Sequence, residues 1–403
     1  MFQRLFQRLF QIGFQRSSLA ILVAAALLPL AAIHAADPSP APSAAPAASA
    51  AAATPTGAAP GSFKIGIMTG TVSQGEDEFR AAQMVEKDNP GLVKHVTYPD
   101  NFMQEQETTI SQVTALASDP QIKAIVIAQA IPGSVAAVKK VKATRPDILF
   151  FLVEPHEDTP VVNEVADFAL QPDQEARGSS IIQVANKMGA KKFVHYSFPR
   201  HMSQEPLAKR RDRMQAECAK LGMEFINATA PDPMREGGVA GAQQFIKEDV
   251  PRQVAKYGKK VAFFSTNCGM QEPLIKAAMD TGAIFPEQCC PSPTHGYPGA
   301  LGLEIPPDKA GDIGFISDQI KAKVTEAGRS GKFATWKIAA NIVAIKACTE
   351  MARLAVEGKM KLSDQAAVKE QLERAAGGVK ITVNKWDAKV GNYYLMLADS
   401  VIF

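Results

Sequence analysis

Short apolar runs alternate with amphipathic stretches along most of the chain, and residues 123–155 hold one complete unit of this pattern. Residues 124–128 form an apolar run rich in Ile and Val, as a strand buried on both faces of a parallel sheet requires. Three valines at helical spacing follow, and a second apolar run occupies residues 148–153. Because a helical crossover joins them, the two predicted strands run parallel.

The same alternation continues on both sides of this unit. Further strands are predicted at residues 63–68, 93–98 and 165–170, with helices at 76–87 and 102–117. A second series has strands at 193–198, 223–227 and 261–266 and helices at 175–188, 207–221, 238–257 and 273–282. After a segment rich in Pro and Gly at 288–307, the pattern predicts helices at 308–325 and 334–357 and strands at 379–383 and 393–397.

This order of elements predicts an α/β fold with two doubly wound parallel-sheet lobes joined by a hinge. The first lobe is predicted to contain residues 63–170 plus about 300–360, because the segment at 288–307 is expected to cross back toward it. The second lobe is predicted to contain residues 171–299 plus about 361–403.

The first 36 residues predict an export signal. Three arginines precede an apolar run at residues 19–33, whose length suits a secretory signal peptide better than a membrane span. Cleavage is expected near Ala35 and Ala36, which places the mature protein in the periplasm. Ile33 or His34 occupies the position where a small residue is preferred, so an uncleaved membrane anchor is the alternative. Residues 37–62 are rich in Ala and Pro and predict a disordered tether.

Composition narrows the classes of partner. The 403 residues are 46% apolar and 21% charged, which is typical of a globular protein with room for two cores. The formal net charge of +3 is close to balance over this length, so no nucleic-acid partner is predicted.

Ligand clefts in doubly wound sheets lie beyond the carboxyl ends of the strands. Short hydrogen-bonding residues occupy these positions and predict a polar, largely neutral ligand. Those of the first lobe are Thr69, Thr71, Ser73, Gln74, Gln129 and Ala130, and those of the second are Ser197, His201, Thr266 and Asn267. Residues of these types also cap turns locally, so a purely structural role stays open for each.

Further candidates carry titratable or charged side chains. Glu154 and His156 follow the strand at 148–153 and are predicted to bind an amine or a hydroxyl, or else to form a solvated hinge loop. His295 lies in the crossing segment and is expected either to reach the cleft or to face water. Arg200 and His201 are suited to a carboxylate or phosphate, although no complete glycine-rich phosphate loop is present.

The two consecutive α/β lobes behind an export signal resemble the type I periplasmic solute-binding proteins. The likeness rests on the first strand FKIGIM, the unit KAIVIAQAIPGSVAAVKKV and the strand DILFFLVEP, and it covers about residues 63–352. In that family the lobes close on a small molecule and hand it to an ABC permease. The resemblance therefore implies a monomeric carrier that needs no cofactor, is not an enzyme and meets the membrane only through the permease. A partner that is a membrane sensor rather than a permease remains the alternative.

Cysteine positions point to chemistry near the cleft. With five cysteines in an oxidising compartment, at least one is unpaired or pairs between chains. A disulfide is predicted from Cys268 to either Cys289 or Cys290. A zinc site formed by these three cysteines and His295 is an alternative, although the spacing matches no known closed site, and no metal ligand is assigned.

The sequence leaves one enzymatic alternative. Cys268 is predicted to lie at a strand-to-helix turn, where a helix start favours a reactive thiolate. Racemases of the aspartate and glutamate type place one cysteine in each of two α/β lobes, but residues 63–170 contain no cysteine. A transcriptional regulator of the same superfamily would need an N-terminal helix-turn-helix, whose place the export signal and tether occupy.

Overall fold

The computed structural model describes residues 63–389 and 391–403. The predicted signal peptide and tether lie outside these residues. Within the described part of the chain, no helix has both the length and the apolar character needed to cross a lipid bilayer.

The first lobe is built on a seven-stranded sheet in which the strand at one edge, Ile381–Lys385, runs antiparallel to its neighbour and the other pairs are parallel. Its order is β10-β11-β5-β4-β3-β1-β2. The strands are β1 (Lys64–Thr69), β2 (Val93–Thr97), β3 (Ile122–Ala128), β4 (Leu149–Val153), β5 (Phe168–Pro172), β10 (Ile381–Lys385) and β11 (Tyr393–Ala398). The helices are α1 (Val72–Asp88), α2 (Gln106–Ser118), α3 (Ser134–Lys142), α4 (Thr159–Val165), α12 (Ala340–Val356) and α13 (Gln365–Ala375).

The central strand β3 is covered on both faces, as its continuous apolar run predicts. Ala124, Val126 and Ala128 belong to the core that contains residues of α1 and α12. Ile125 and Ile127 point the other way into the core that contains residues of α2 and α3. Alternate side chains of one strand therefore fill two separate hydrophobic layers.

The second lobe contains three parallel strands in the order β7-β6-β8. Backbone hydrogen bonds through Ile284 and Phe285 join β8 to the strand pair β9 and β12. The strands are β6 (Lys192–Ser197), β7 (Glu224–Thr229), β8 (Val261–Ser265), β9 (Ala334–Trp336) and β12 (Ser400–Ile402). The helices are α5 (Gln174–Lys187), α6 (Pro199–Met202), α7 (Glu205–Lys220), α8 (Gly238–Tyr257), α9 (Gln271–Thr281), α10 (Tyr297–Leu301) and α11 (Ile313–Glu326), with 3₁₀ turns at Cys268–Met270 and Pro307–Lys309.

The C-terminal third crosses between the lobes more often than the sequence predicts. Helix α11 packs in the second core, although residues 300–360 were assigned to the first lobe, and only α12 packs there as predicted. Residues 361–403 were assigned to the second lobe, whereas β10 and β11 extend the first sheet beside β5. Residues 334–336 form a buried strand instead of the start of a helix. Apolar periodicity shows that an element is amphipathic but not which sheet it covers, and this explains the differences.

Candidate binding site between the two lobes

Two neighbouring strands of the first lobe end in backbone conformations that are unusual for their residues. Gln129 follows β3 with φ of 54°, and Glu154 follows β4 with φ of 47°. They are the non-glycine residues with positive φ among those the structure describes. Strained backbone of this kind persists where the surroundings hold it, and it is enriched at functional sites. Both residues were predicted to line the cleft.

A buried carboxyl group, which sequence analysis missed, connects these strand ends to two helices. Glu78 on α1 is 3% exposed, and its Oε1 atom accepts hydrogen bonds from Gln129 Nε2 at 2.8 Å and from Asn341 Nδ2 at 2.6 Å. Burial, together with the nearby Cys290 thiol, raises the pKa of Glu78 to about 7. The same two causes raise the pKa of the Glu154 carboxyl well above its ordinary value. The first lobe therefore presents two acids whose pKa values lie above the usual range for a carboxyl group.

Three cysteines, Cys268 and the adjacent pair Cys289 and Cys290, lie close together near these acids. The Sγ atom of Cys268 lies 3.0 Å from that of Cys289 and 3.4 Å from that of Cys290, and all three thiols are free. His295 Nε2 lies 3.6 Å from Cys289 Sγ, and Cys290 Sγ lies 3.8 Å from Oε2 of Glu154. The geometry brings Cys268 close to both of its predicted partners, and the disulfide itself stays a prediction.

Two buried arginines, Arg177 and Arg210, lie close enough to Cys289 to influence its charge. Arg177 is fully buried and pairs with Glu287 at 2.8 Å, while Arg210 donates to Gln174 Oε1 at 2.6 Å. Burial alone would raise the pKa of the Cys289 thiol. Contacts with the two other thiols, aided by the charges of both arginines, instead hold that pKa well below its ordinary value. The surroundings therefore favour a thiolate at Cys289.

A second polar group of the cleft consists of neutral residues. Thr266 Oγ1 lies 2.9 Å from Ser197 Oγ and 3.0 Å from His201 Nδ1. Burial and then the charge of Arg200 lower the pKa of His156 to about 4, and the same causes lower that of His201. His156 also contributes to the shift of His201, which shows that these residues of the two lobes lie near each other. Ala130 contacts this group through its backbone, because its carbonyl oxygen accepts a hydrogen bond from the backbone N–H of His156 at 3.1 Å.

The remaining predicted residues have local partners. Thr69 is fully buried and its hydroxyl lies 2.8 Å from His95 Nε2 of the adjacent strand. Thr71, Ser73 and Gln74 all hydrogen-bond to Asp100. The side chain of Asn267 accepts from Gly269 N–H at 2.9 Å. The backbone carbonyl of Gln74 also accepts a 3.4 Å hydrogen bond from Gln129 Nε2, which bonds Glu78. No described hydrogen bond joins the other four to Glu78 or the cysteines, and the ligand contacts of all five stay predictions.

Known proteins provide a comparison for this architecture. Residues 63–334 match the family model described as "Protein of unknown function (DUF3798)". Two proteins of Treponema pallidum (strain Nichols), each described as an uncharacterized protein, are similar to the chain. One is 39% identical over 178 residues, which is 42% of this chain and 80% of the relative. The other is 35% identical over 217 residues, which is 54% of this chain and 98% of the relative.

Solved structures share the fold. A protein of Clostridium difficile 630, described as a candidate transcriptional regulator, is 24% identical with a TM-score of 0.71, covering 85% of this chain and 99% of that chain. Solute-binding proteins of ABC transporters are also among the similar structures, as the sequence resemblance predicts. One of them, from Actinobacillus succinogenes 130z with bound D-allose, is 12% identical with a TM-score of 0.49, covering 74% of this chain and 93% of that chain.

These structural likenesses concern the fold alone, and no site residue is transferred from them. The family match is of a different kind, because it spans more than half of the sequence and includes both lobes. The chain belongs to the family described as "Protein of unknown function (DUF3798)".

Proposed function

We propose that this protein is an exported solute-binding protein that captures a small polar ligand between its two lobes and delivers it to an ABC permease. The observation that carries the proposal is that polar side chains of both lobes lie at or just beyond the ends of β3, β4, β6 and β8, where Cys290 Sγ of the second lobe lies 3.8 Å from Glu154 Oε2 of the first. Gln129 and Glu154 come from the first lobe, and Ser197 and Thr266 come from the second. In doubly wound sheets this edge is where ligands bind.

Contacts that cross between the lobes support a closing motion around the ligand. Thr294 of the crossing segment donates to Asp77 of α1 over 2.7 Å, and Cys290 contacts Glu154. Each contact joins a residue of the second lobe to a residue of the first, so it forms only when the lobes are together. A ligand that also touches both lobes would favour the same closed state.

The protonation of the cleft supports a largely neutral ligand. Burial raises the pKa values of Glu78 and Glu154, and it lowers those of His156 and His201. Burial therefore disfavours the charged forms of His156, His201 and Glu154, and these side chains offer hydrogen bonds to a ligand. Hydroxyl-rich or amide-bearing solutes satisfy such groups without bringing an unpaired charge into a buried site.

The test is a ligand screen on the full-length protein, exported by a Gram-negative host and recovered from its periplasm. Sugars, polyols, nucleosides, amino acids and small carboxylates would be screened by thermal unfolding and then by titration calorimetry. A ligand at 100 times its Kd stabilises the folded form by about 2.7 kcal/mol. Gln129→Leu should abolish the shift, whereas Gln244→Leu, at an exposed position of α8, should leave it intact.

Three results would contradict the proposal. One is retention of the protein in the cytoplasm, and another is the absence of any ligand that shifts the unfolding temperature. A third is turnover of a compound that is lost on Cys268→Ser, which would support the enzyme instead. Cross-linking of the ligand-bound protein in its native membrane would then identify the partner, and recovery of a sensor rather than a permease would overturn the delivery step.

A further inference from the structure

The cysteine cluster has the composition and spacing of a metal centre. The donor atoms of Cys268, Cys289 and His295 all lie within 4.8 Å of one another. Cys290 lies next to this group but outside it, since its Sγ is 3.4 Å from that of Cys268 but not within 4.8 Å of all three donors. Three thiols and one imidazole form a set of four ligands that tetrahedral zinc sites use.

The distances are close to those that a bound cation requires. With a metal-to-sulfur bond of about 2.3 Å and a metal-to-nitrogen bond of about 2.0 Å, a tetrahedral site separates two sulfurs by about 3.8 Å and a sulfur from a nitrogen by about 3.5 Å. The distance from Cys289 Sγ to His295 Nε2 is 3.6 Å. The sulfur pairs at 3.0 and 3.4 Å need to separate by less than 1 Å, and Cys290 Sγ needs to move toward the other donors, both of which require side-chain rotation.

The surrounding charges suit such a centre. A divalent cation bound by three thiolates and a neutral imidazole has a net charge of −1. Arg177 is already paired with Glu287, but Nε and Nη2 of the buried Arg210 have no hydrogen-bond partner in the described structure. Arg210 also contributes to the electrostatics of Cys289. An uncompensated buried guanidinium is costly, and an anionic centre beside it would offset that cost.

We propose that Cys268, Cys289, Cys290 and His295 bind a thiophilic divalent cation, with Zn²⁺ as the reference ion. Thiolate and imidazole donors select Zn²⁺ over Mg²⁺ and Ca²⁺, which prefer oxygen ligands. The inference does not depend on delivery to a permease, because it rests on four side chains of the second lobe and the crossing segment. It also makes the metal and the predicted disulfide mutually exclusive, since a bonded Cys268 would have no thiolate to offer.

The experiment uses the full-length protein, purified with a reductant that does not bind metal and stripped with a chelator. Zn²⁺ binding would be measured by competition with a chromophoric chelator. Co²⁺ would then be added as a spectroscopic probe, since tetrahedral thiolate coordination produces a sulfur-to-metal charge-transfer band. We expect one equivalent of either ion and little binding of Mg²⁺. Cys289→Ser and His295→Gln should each weaken Zn²⁺ binding at least 10-fold to 100-fold, by analogy with the loss of supporting residues around zinc.

Matched controls come from the other two cysteines. Cys218 and Cys348 are buried in α7 and α12, so Cys218→Ser and Cys348→Ser alter a buried thiol without touching the centre. They should retain one equivalent of metal and the cobalt band. Circular dichroism of each variant separates loss of binding from loss of folding.

Several results would overturn the inference. These are the absence of stoichiometric binding by fully reduced protein, equal binding by the cluster variants and the wild type, or a cobalt spectrum without the thiolate band. Retention of full affinity by Cys290→Ser would overturn its assignment as the fourth ligand. Ligand-induced unfolding shifts measured with and without Zn²⁺ distinguish failure of this inference from failure of the solute-binding proposal.

Discussion

The hydroxyl of Thr294 donates to the carboxylate of Asp77 over 2.7 Å, although the two residues are 217 positions apart in the chain. Asp77 is 8% exposed and belongs to the first turns of α1 in the first lobe, while Thr294 lies between α9 and α10 of the second lobe. This hydrogen bond can exist only when the two lobes are together. It therefore offers a direct way to weaken the closed state without touching a predicted ligand contact.

Thr294→Val should reduce affinity for the solute. The variant leaves the Asp77 carboxylate without this partner in the closed form, which costs about 1 kcal/mol or more. If the ligand binds the closed form, its apparent Kd rises by about fivefold or more, as titration calorimetry would show. Thr114→Val is the control, because the Thr114 hydroxyl bonds only to the carbonyl of Ile110 within α2. Equal affinities of both variants would contradict a role for this contact in closure.

Glu78 should make the free energy of unfolding fall as the pH rises from about 4.5 to about 7. Its folded-state pKa of about 7 lies above the ordinary value of 4.5, because burial and the charges of Cys290 and Asp77 disfavour the anion. Between these two values the unfolded chain loses a proton that the folded chain keeps. The free energy of unfolding therefore decreases by about 1.4 kcal/mol per pH unit from this group and levels off above pH 7.

Glu78→Gln should remove this slope in urea unfolding measured between pH 5 and 8. Glu217→Gln is the control, since hydrogen bonds from Gln183 and Lys220 lower the pKa of Glu217 and confine its effect to more acidic conditions. An unchanged slope in Glu78→Gln would show that Glu78 is ionised in the folded protein.

His195 should act in the opposite direction. Its ring lies 5.8 Å from Phe225 and 5.9 Å from Phe264, and burial followed by the charges of Arg210 and Arg211 lowers its pKa to about 3. Between pH 6.5 and about pH 3, His195 therefore binds a proton in the unfolded chain but not in the folded chain. The free energy of unfolding declines by about 1.4 kcal/mol per pH unit as the pH falls through this range. His195→Phe should reduce this acid sensitivity while changing stability little at pH 7.5, because His195 Nε2 has no hydrogen-bond partner in the described structure.

Arg177→Met should destabilise the second lobe strongly. The change removes the ion pair with Glu287 and the hydrogen bond to the Gln288 carbonyl, both fully buried. Breaking a buried pair by removing one partner costs about 3–5 kcal/mol. Asp280→Asn is the comparison, since its pair with Lys276 is exposed and such pairs contribute about 0–1 kcal/mol. Chemical denaturation of both variants at pH 7 measures the difference, and similar losses would contradict the importance of the buried pair.

Much of the candidate site follows from the sequence, and its centre does not. Gln129, Glu154 and Thr266 directly follow β3, β4 and β8, as the strand pattern predicts, and their contact with a ligand stays a prediction. No strand end or motif in the sequence marked Glu78 or Asn341 as a site residue. They lie within helical patterns 263 positions apart, and only packing of α1 against α12 brings their side chains to 2.6 Å. The sequence predicts that Cys268 lies near Cys289 or Cys290. The Sγ distances of 3.0 and 3.4 Å depend on how the segment that begins at residue 288 folds against Cys268.

The amino-acid sequence by itself determined the alternation of strands and helices, the two-lobed α/β class and the edge at which a ligand would bind. These properties are local, because apolar periodicity and the handed crossover act over a few tens of residues. Only the tertiary structure decided that β10 and β11 join the first sheet, that Glu78 is buried and that three thiols meet near His295. The first two outcomes depend on packing between surfaces that are far apart in the sequence, and the third on how residues 268–295 fold. A shift in pKa or a metal-ligand distance exists only once that packing has formed.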